Sequence, residues 1–346
     1  MKTVHYNYKI SNKFKNKDFN MYFENKKPCI FDIETTGLSG KKDHLILAAL
    51  FFPEGDNVHG VQFFAENIFE EFVVVKSVLK CIEDENSDFL ITYNGDSFDI
   101  PFFNTRAEKL SVGKTLSIYN FDLYRFIKRS TVLPSLIKSL SQKNVENFFG
   151  ILSDRLDTID GKESISLYFD YINSPVKDTY EKIITHNAED VMQLYKIFSI
   201  ITENSFKEMI IEKNIHKAMA IHGFPSLCGN FSIIPELGKS FLKIHGKQMN
   251  PANAVLFSCP GSPANAKFIK EKKTYNVLLP IIKYADSLFF DIGIIDNVDE
   301  LFLQSAKNLD GFVNGSIILC ENGQKKHREI NFLSMLVLSH IKNLIF

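Results

Sequence analysis

The stretch FDIETTGL, residues 31–38, constrains this chain more than any other. It sets two carboxylates, Asp32 and Glu34, two positions apart in an otherwise apolar, β-favouring run that closes on Thr-Thr-Gly. On a strand, residues i and i+2 share one face and lie about 7 Å apart along the chain. Two anions held that close to an apolar core repel each other and resist desolvation. A divalent cation is the usual agent that offsets such a cost. The alternative is an exposed strand end carrying two solvated acids.

The rest of the chain supplies the setting for that strand. Val4, Tyr6, Tyr8 and Ile10 alternate as a strand does, and a basic, polar stretch runs from there to Lys27. HLILAALFF and VHGVQFFA read as further strands separated by the turn-like PEGDN. IFEEFVVVKSVLKCIEDE reads as a helix with Phe69, Phe72, Val73, Lys76 and Leu79 at near-helical spacing. DFLITYNG is another strand ending in an Asn-Gly turn, and PFFNTRAEKL follows as a helix with Pro101 in its first turn. LPSLIKSLSQKNVENFFG and DTYEKIITHNAEDVMQLYKIFSIIT read as amphipathic helices. Three strands, a helix, a strand and helices predict an α/β domain with a mixed sheet flanked by helices.

After residue 205 the texture changes. KSFLKIHGKQ, KTYNVLLPII and SLFFDIGII read as strands between Gly, Pro and Asn turns, and INFLSMLVLSHIKNLIF as a closing helix. The expected organisation is a lead-in over 1–27, an α/β domain over 28–204 and a smaller β-rich accessory domain over 205–346. A length of 346 residues suits two such domains. Apolar content of 45% and charged content of 23% are those of a globular protein, and a net charge of −1 gives no global attraction to nucleic acid. Any such binding needs a local basic face. Cys29, Cys81, Cys228, Cys259 and Cys320 form no C-x-x-C pair, which argues against a zinc site and a disulfide framework. The start of the chain lacks an apolar core of signal-peptide length, and no run approaches the ~18 apolar residues of a membrane span. The expectation is a cytoplasmic protein with no membrane partner.

Two further stretches carry acids. YNGDSFDIPF, residues 93–102, places Asp99 beyond a strand end, where α/β folds build sites, or else at the N-cap of the next helix. HNAEDV, residues 186–191, puts His186 and Asp190 four apart, one turn along one helix face. The plainer alternative there is a solvated polar face.

Taken together, the three stretches resemble the three motifs of the DEDD 3′→5′ exonucleases, and the RNase H-like group labelled YprB-like fits best. FDIETTGL matches the first motif, with Asp32 and Glu34 as metal ligands. YNGDSFDIPF matches the second, with Asp99 as the third acid, and is also similar to family B DNA polymerase proofreading domains. HNAEDV matches the third, with Asp190 as the fourth acid. The resemblance spans residues 28–204 and includes NFDLYRF and NVENFFGI between the motifs. One departure stands out: His186 lies four residues before the last acid, where the proofreading branch usually carries Tyr.

The resemblance implies hydrolysis of phosphodiester bonds from a 3′ end by two metal ions, Mg²⁺ or Mn²⁺. The chemistry agrees: an attacking water must be activated, charge on phosphate stabilised and the leaving oxygen assisted, and two divalent ions can serve all three needs. Hard oxygen ligands without a Cys/His cluster suit those metals better than zinc. His186, near its neutral form at pH 7, is the candidate general base. Thr35, Leu38, Asn94 and Phe98 are candidate contacts to the terminal nucleotide, with turn roles open for Thr35 and Asn94 and a core role for Phe98. Basic residues from Arg106 to Arg129, interleaved with Tyr119, Phe121, Tyr124 and Phe126, suit either a single-strand groove or a solvated face over a core. Lys267, Lys270, Lys272 and Lys273 form a second cluster. Single-stranded DNA is the favoured substrate; RNA processing and a catalytically inactive binding or scaffold protein on the same fold are the alternatives.

Overall fold

The computed structural model describes residues 1–9, 17–24, 26–157, 159–203, 214–226, 229–249, 256–258, 265–295, 298 and 300–345. The chain divides into two compact units, Met1–Glu212 and Lys213–Phe346. The division expected after residue 204 falls in a stretch, 204–213, outside the described residues.

The first unit is built on a six-stranded mixed sheet in the order β1-β4-β3-β2-β5-β6. Its strands are β1 (Lys2–Lys9), β2 (Pro28–Thr35), β3 (Leu45–Glu54), β4 (Asn57–Phe64), β5 (Phe89–Thr92) and β6 (Tyr119–Asp122). β2 pairs antiparallel with β3 and parallel with β5, so it lies inside the sheet. A strand covered on both faces shows a nearly continuous apolar run, which is why residues 28–33 lack clean alternation. The pleat still sorts its side chains. Cys29, Phe31 and Ile33 join a core with Val74, Val75, Val78, Leu79 and Ile82 of α2 (Glu71–Asp84) and Phe102 and Phe103 of α3 (Asp99–Lys109). Asp32 and Glu34 therefore project to the opposite face, which α7 (Gly161–Asn173) and α8 (Lys177–Ile201) cover.

Several elements differ from the sequence expectation. α1 (Lys17–Phe23) sits in the polar lead-in and is anchored by buried Phe19 and Tyr22. β6 is four residues long, too short to show a period, and leads straight into α4 (Leu123–Ser130), which Asp122 caps. The stretch from 133 to 150 is not one helix: α5 (Leu133–Leu136) and α6 (Gln142–Phe148) are separated by extended Ile137. α7 begins where Asp160 accepts hydrogen bonds from the Lys162 and Glu163 amides. In α2 the buried stripe is Val74, Val75, Val78, Leu79 and Ile82, whereas Phe72 and Val73 are exposed, as is Phe69 in the short 3₁₀ turn Ile68–Glu70 before it. Lys76, Lys80, Glu83 and Asp84 take the exposed side of this helix, and packing on β3 selects the buried stripe.

Among its described residues the second unit holds two antiparallel sheets, of six and five strands, with helices at Ile215–His222, Glu300–Lys307 and His327–Ile345. The expected strands appear as Phe241–Lys247, Thr274–Pro280 and Ser287–Asp291. Cys29, Cys81 and Cys320 are free thiols; Cys228 and Cys259 lie outside the described residues. Among the described residues, no helix is long and apolar enough to cross a membrane.

Candidate active site

The first acids sit where β2 breaks register with β3. Asp32 pairs with Ala49 and Glu34 with Leu47, and the ladder shifts between Glu34 and Thr35. Such irregularities bend a strand and re-aim its side chains. The following loop is tied down tightly. The Thr35 hydroxyl donates to the Gly37 carbonyl at 2.7 Å, and the His44 amide donates to Thr36 Oγ1 at 2.9 Å. Thr35 is buried in this turn, while Leu38 projects with 85% of its surface exposed. A buried pair holds the loop from below: Arg106 Nε and Nη2 each reach Glu71 at 2.6 Å, and Arg106 Nη1 donates to the Gly40 carbonyl.

The second acid-bearing stretch turns at Asn94 and Gly95. Asn94 adopts a left-handed φ of 64°, and a Cβ on Gly95 would meet Thr92 Oγ1 at 2.2 Å, so glycine is required there. Asp122 accepts the amides of Asn94 and Asp96 at 3.0 and 3.1 Å, fixing the turn. Asp99 is the first residue of α3, and the N-cap position belongs to Phe98, which makes no capping bond. The capping alternative for Asp99 is thus excluded. Phe98 is half-buried against the core and packs on Phe102 at 5.6 Å, the arrangement of a core residue.

The third stretch lies on α8. His186 Nε2 approaches Glu34 Oε1 at 3.8 Å and Asp190 Oδ2 at 3.6 Å. Glu34, His186 and Asp190 each offer a ligand atom within 4.8 Å of the other two. Asp32 and Asp99 are not members of that trio, but Asp32 feels its charge: it is raised well above the usual carboxylate range by burial first, then by Asp99, Asp190 and Glu34. Asn187, beside His186 in sequence, donates to Asp32 Oδ2 at 2.7 Å. Its carbonyl oxygen in turn accepts from Gln62 Nε2 at 2.8 Å, and Gln62 Oε1 accepts the Tyr6 hydroxyl at 2.6 Å. A chain of oriented amides therefore runs under the first acid.

On the far side of His186 a second set of groups converges. His186 Nδ1 meets Asp157 Oδ2 at 2.7 Å. Arg155 binds Asp157 through Nε at 2.6 Å and Nη2 at 3.1 Å, Glu146 through Nη1 at 2.9 Å, and Asp190 through Nη2. Gln142 holds the same corner by donating to the Asp190 carbonyl and to Glu146.

Burial pushes Glu34 up to about 7, with His186 opposing it and Asp190 adding to it. Asp99 is likewise pushed to about 7, chiefly by burial, against backbone hydrogen bonds that include one from Ile33. Burial disfavours the His186 imidazolium, but the Asp157 bond and the charges of Asp190 and Glu34 outweigh it, so the ring holds its proton above the usual histidine range. The neutral ring expected from the sequence is not the state this surrounding favours. Four acids raised or crowded together, with oxygen donors predominating, are what a divalent cation would relieve. The residues present fit a hard divalent cation, and among the described residues Glu34, His186 and Asp190 bring their ligand atoms closest together.

Sequence reasoning missed Gln62, Glu146, Arg155, Asp157 and Asn187. Gln62 left a trace, as a polar residue inside the apolar run VHGVQFFA; Arg155 and Asp157 left none that separates them from a solvated turn. In the basic stretch Arg106 is buried on Glu71, Lys114 pairs with Glu83 and Arg125 with Asp96, and Tyr119, Phe121 and Phe126 are core residues rather than stacking surfaces. Lys270, Lys272 and Lys273 line an exposed hairpin turn of the second unit, with Lys267 exposed on the adjoining strand.

Comparison with known proteins adds a family. A family described as the RNase_H superfamily matches residues 29–202, half of the chain. The chain is 32% identical over 133 residues to a DNA polymerase of Pyrococcus glycovorans, an alignment covering 30% of this chain and 17% of that one. It is 25% identical over 157 residues to the DNA polymerase of Pyrococcus horikoshii, covering 39% of this chain and 12% of that one. The chain thus spans less than a fifth of the length of these relatives. Among solved structures, the family B DNA polymerase of Pyrobaculum calidifontis aligns with a TM-score of 0.40 and 15% identity over 91% of this chain and 47% of that one.

Proposed function

This chain belongs to the RNase H superfamily, and we propose that it is a metal-dependent nuclease that hydrolyses single-stranded nucleic acid, DNA in preference, from its 3′ end. The observation that carries this is the meeting of Glu34, His186 and Asp190 within 4.8 Å, beside Asp32, on the face of β2 that α8 covers. The DNA polymerase relatives support the preference for DNA.

Asp32, Glu34, Asp99 and Asp190 would hold two divalent ions, which when bound supply a Lewis acid for the phosphate and lower the cost of deprotonating water. His186 presents Nε2 to the space between Glu34 and Asp190; with the charge of those acids offset by bound cations its ring would lose the extra proton they hold there, and Nε2 would then take the proton of the attacking water. Asn187 fixes the rotation of the Asp32 carboxylate, and Arg155 balances the charge of Asp190. Thr35 and Asn94 shape their loops, and exposed Leu38 would meet the terminal nucleotide.

The test is hydrolysis of 3′- and 5′-labelled DNA and RNA strands with Mg²⁺, with Mn²⁺ and with chelator. Nucleotides released stepwise from the 3′ end of DNA, only with metal, are expected. No hydrolysis of any strand would reject the enzyme in favour of a binding protein, and faster loss of RNA would reassign the substrate.

A further inference from the structure

The acid cluster does not by itself say how His186 is aimed. The χ2 torsion of histidine is broad, so a ring on a helix can turn its nitrogens through a wide arc. Here the ring is almost fully buried, and Asp157 Oδ2 lies 2.7 Å from Nδ1 while the opposite nitrogen, Nε2, faces Glu34 and Asp190. An ionised carboxylate can only accept, so Nδ1 carries the proton of that bond whatever the charge on the ring. Asp157 cannot turn away either. Its two oxygens are engaged by Nε and Nη2 of Arg155, and Arg155 is anchored in turn on Glu146, whose side chain is fully buried.

We propose that Asp157, locked by Arg155, is a positioning residue that fixes the rotation and tautomer of His186, keeping Nδ1–H on Asp157 and Nε2 directed at the acids. This rests on the nuclease assignment for its catalytic consequence and on the hydrogen-bond geometry alone for its structural part. A partner on the non-reacting nitrogen sets which nitrogen does chemistry. Replacing the carboxylate with an amide of the same shape introduces an N–H that competes to donate to Nδ1 and so favours the opposite tautomer.

The experiment uses the full chain and the variants Asp157→Asn and Asp157→Glu. Ring ¹⁵N spectra of the cation-free protein, followed upward in pH until the ring is neutral and with the His186 signals assigned by their loss in His186→Asn, report which nitrogen keeps its proton. Initial rates on a 3′-labelled DNA strand with Mn²⁺ report kcat and KM. In the wild type Nδ1 is protonated. In Asp157→Asn the Nδ1 signal is expected to move towards the unprotonated position, with kcat down on the order of 10–100-fold and KM little changed. Asp157→Glu, which keeps the charge and the acceptor, should retain the wild-type ring pattern and most of kcat. Should Asp157→Asn fail to fold, Asp157→Glu with a moved Nδ1 signal and unaltered kcat overturns the proposal. Wild-type ring signals in folded Asp157→Asn, or an undiminished kcat, overturn it as well. A wild-type chain that hydrolyses nothing, alongside a moved Nδ1 signal in Asp157→Asn, rejects the nuclease assignment and supports the orienting role.

Discussion

Two buried arginines in the first unit keep very different company. Arg106 faces one carboxylate, Glu71, which also accepts the Leu45 amide and meets His44 Nδ1 at 2.8 Å. Arg155 faces three carboxylates, Glu146, Asp157 and Asp190, and behind Asp190 stand His186, Glu34 and Asp32. The first group closes its own charge and joins the loop after β2 to α2 and α3. The second leaves an excess of acid on one side of a histidine. A buried ion pair that balances locally is a structural joint; one that stops short of balance is organised around something positive still to come.

The comparison is broken most severely if the acid-rich group proves as dispensable to chemistry as the Arg106 joint should be. Asp32→Ala and Asp190→Ala are expected to abolish hydrolysis while circular dichroism stays native. Near-wild-type turnover in either would place the reaction elsewhere. His186→Ala is expected to slow turnover by on the order of 10²–10⁴-fold, and a loss of only a few-fold would pass the proton to bulk solvent.

The Arg106 joint gives the converse result. Arg106→Ala leaves Glu71 charged and buried without its main partner, which costs about 3–5 kcal/mol of unfolding free energy, measured by urea denaturation. In the fraction that remains folded, turnover per active molecule should stay within a few-fold. A stable but inactive Arg106→Ala would show that the joint shapes the site directly.

Acidity sharpens the contrast. In the cation-free fold Glu34 and Asp99 hold their protons up to about 7, whereas unfolded carboxylates release them near pH 4. Their contribution to stability is thus fully present below about pH 4 and is lost as pH rises through about 7. Melting of the chelated protein should occur at lower temperature at about pH 8 than at about pH 5, and added Mg²⁺ or Mn²⁺ should raise it more at the higher pH. A cation effect equal at both values would separate binding from these acids.

The smallest effect is expected in the second unit. Lys270→Glu with Lys272→Glu and Lys273→Glu on the exposed hairpin of the second unit should weaken binding of a long strand and flatten its salt dependence. Turnover of a very short oligonucleotide should not change. Equal salt slopes for variant and wild type would make these lysines a solubilising face.

The sequence by itself determined much of this protein. Alternation marked β1, apolar runs divided by a turn marked β3 and β4, and near-helical spacing marked α8; Asp32 and Glu34 stood out in an apolar run, Asp99 beyond a strand end and Asp190 one turn from His186, because all of these signals are local. It also misplaced what local pattern cannot rank. Spacing alone grouped Phe69, Phe72, Val73, Lys76 and Leu79, whereas packing on β3 buries Val74, Val75, Val78, Leu79 and Ile82 of α2 and leaves Phe69, Phe72 and Val73 exposed. β6 is a strand because β5 lies parallel beside it, not because four residues show a period. The site divides the same way. Its acids are legible in three short stretches, whereas Gln62, Glu146, Arg155 and Asp157 gain meaning only when distant segments converge, as Gln62 and Asn187 do across 125 positions. Hydrogen bonds and buried charge are satisfied between neighbours in space, and tertiary structure alone decides who those neighbours are.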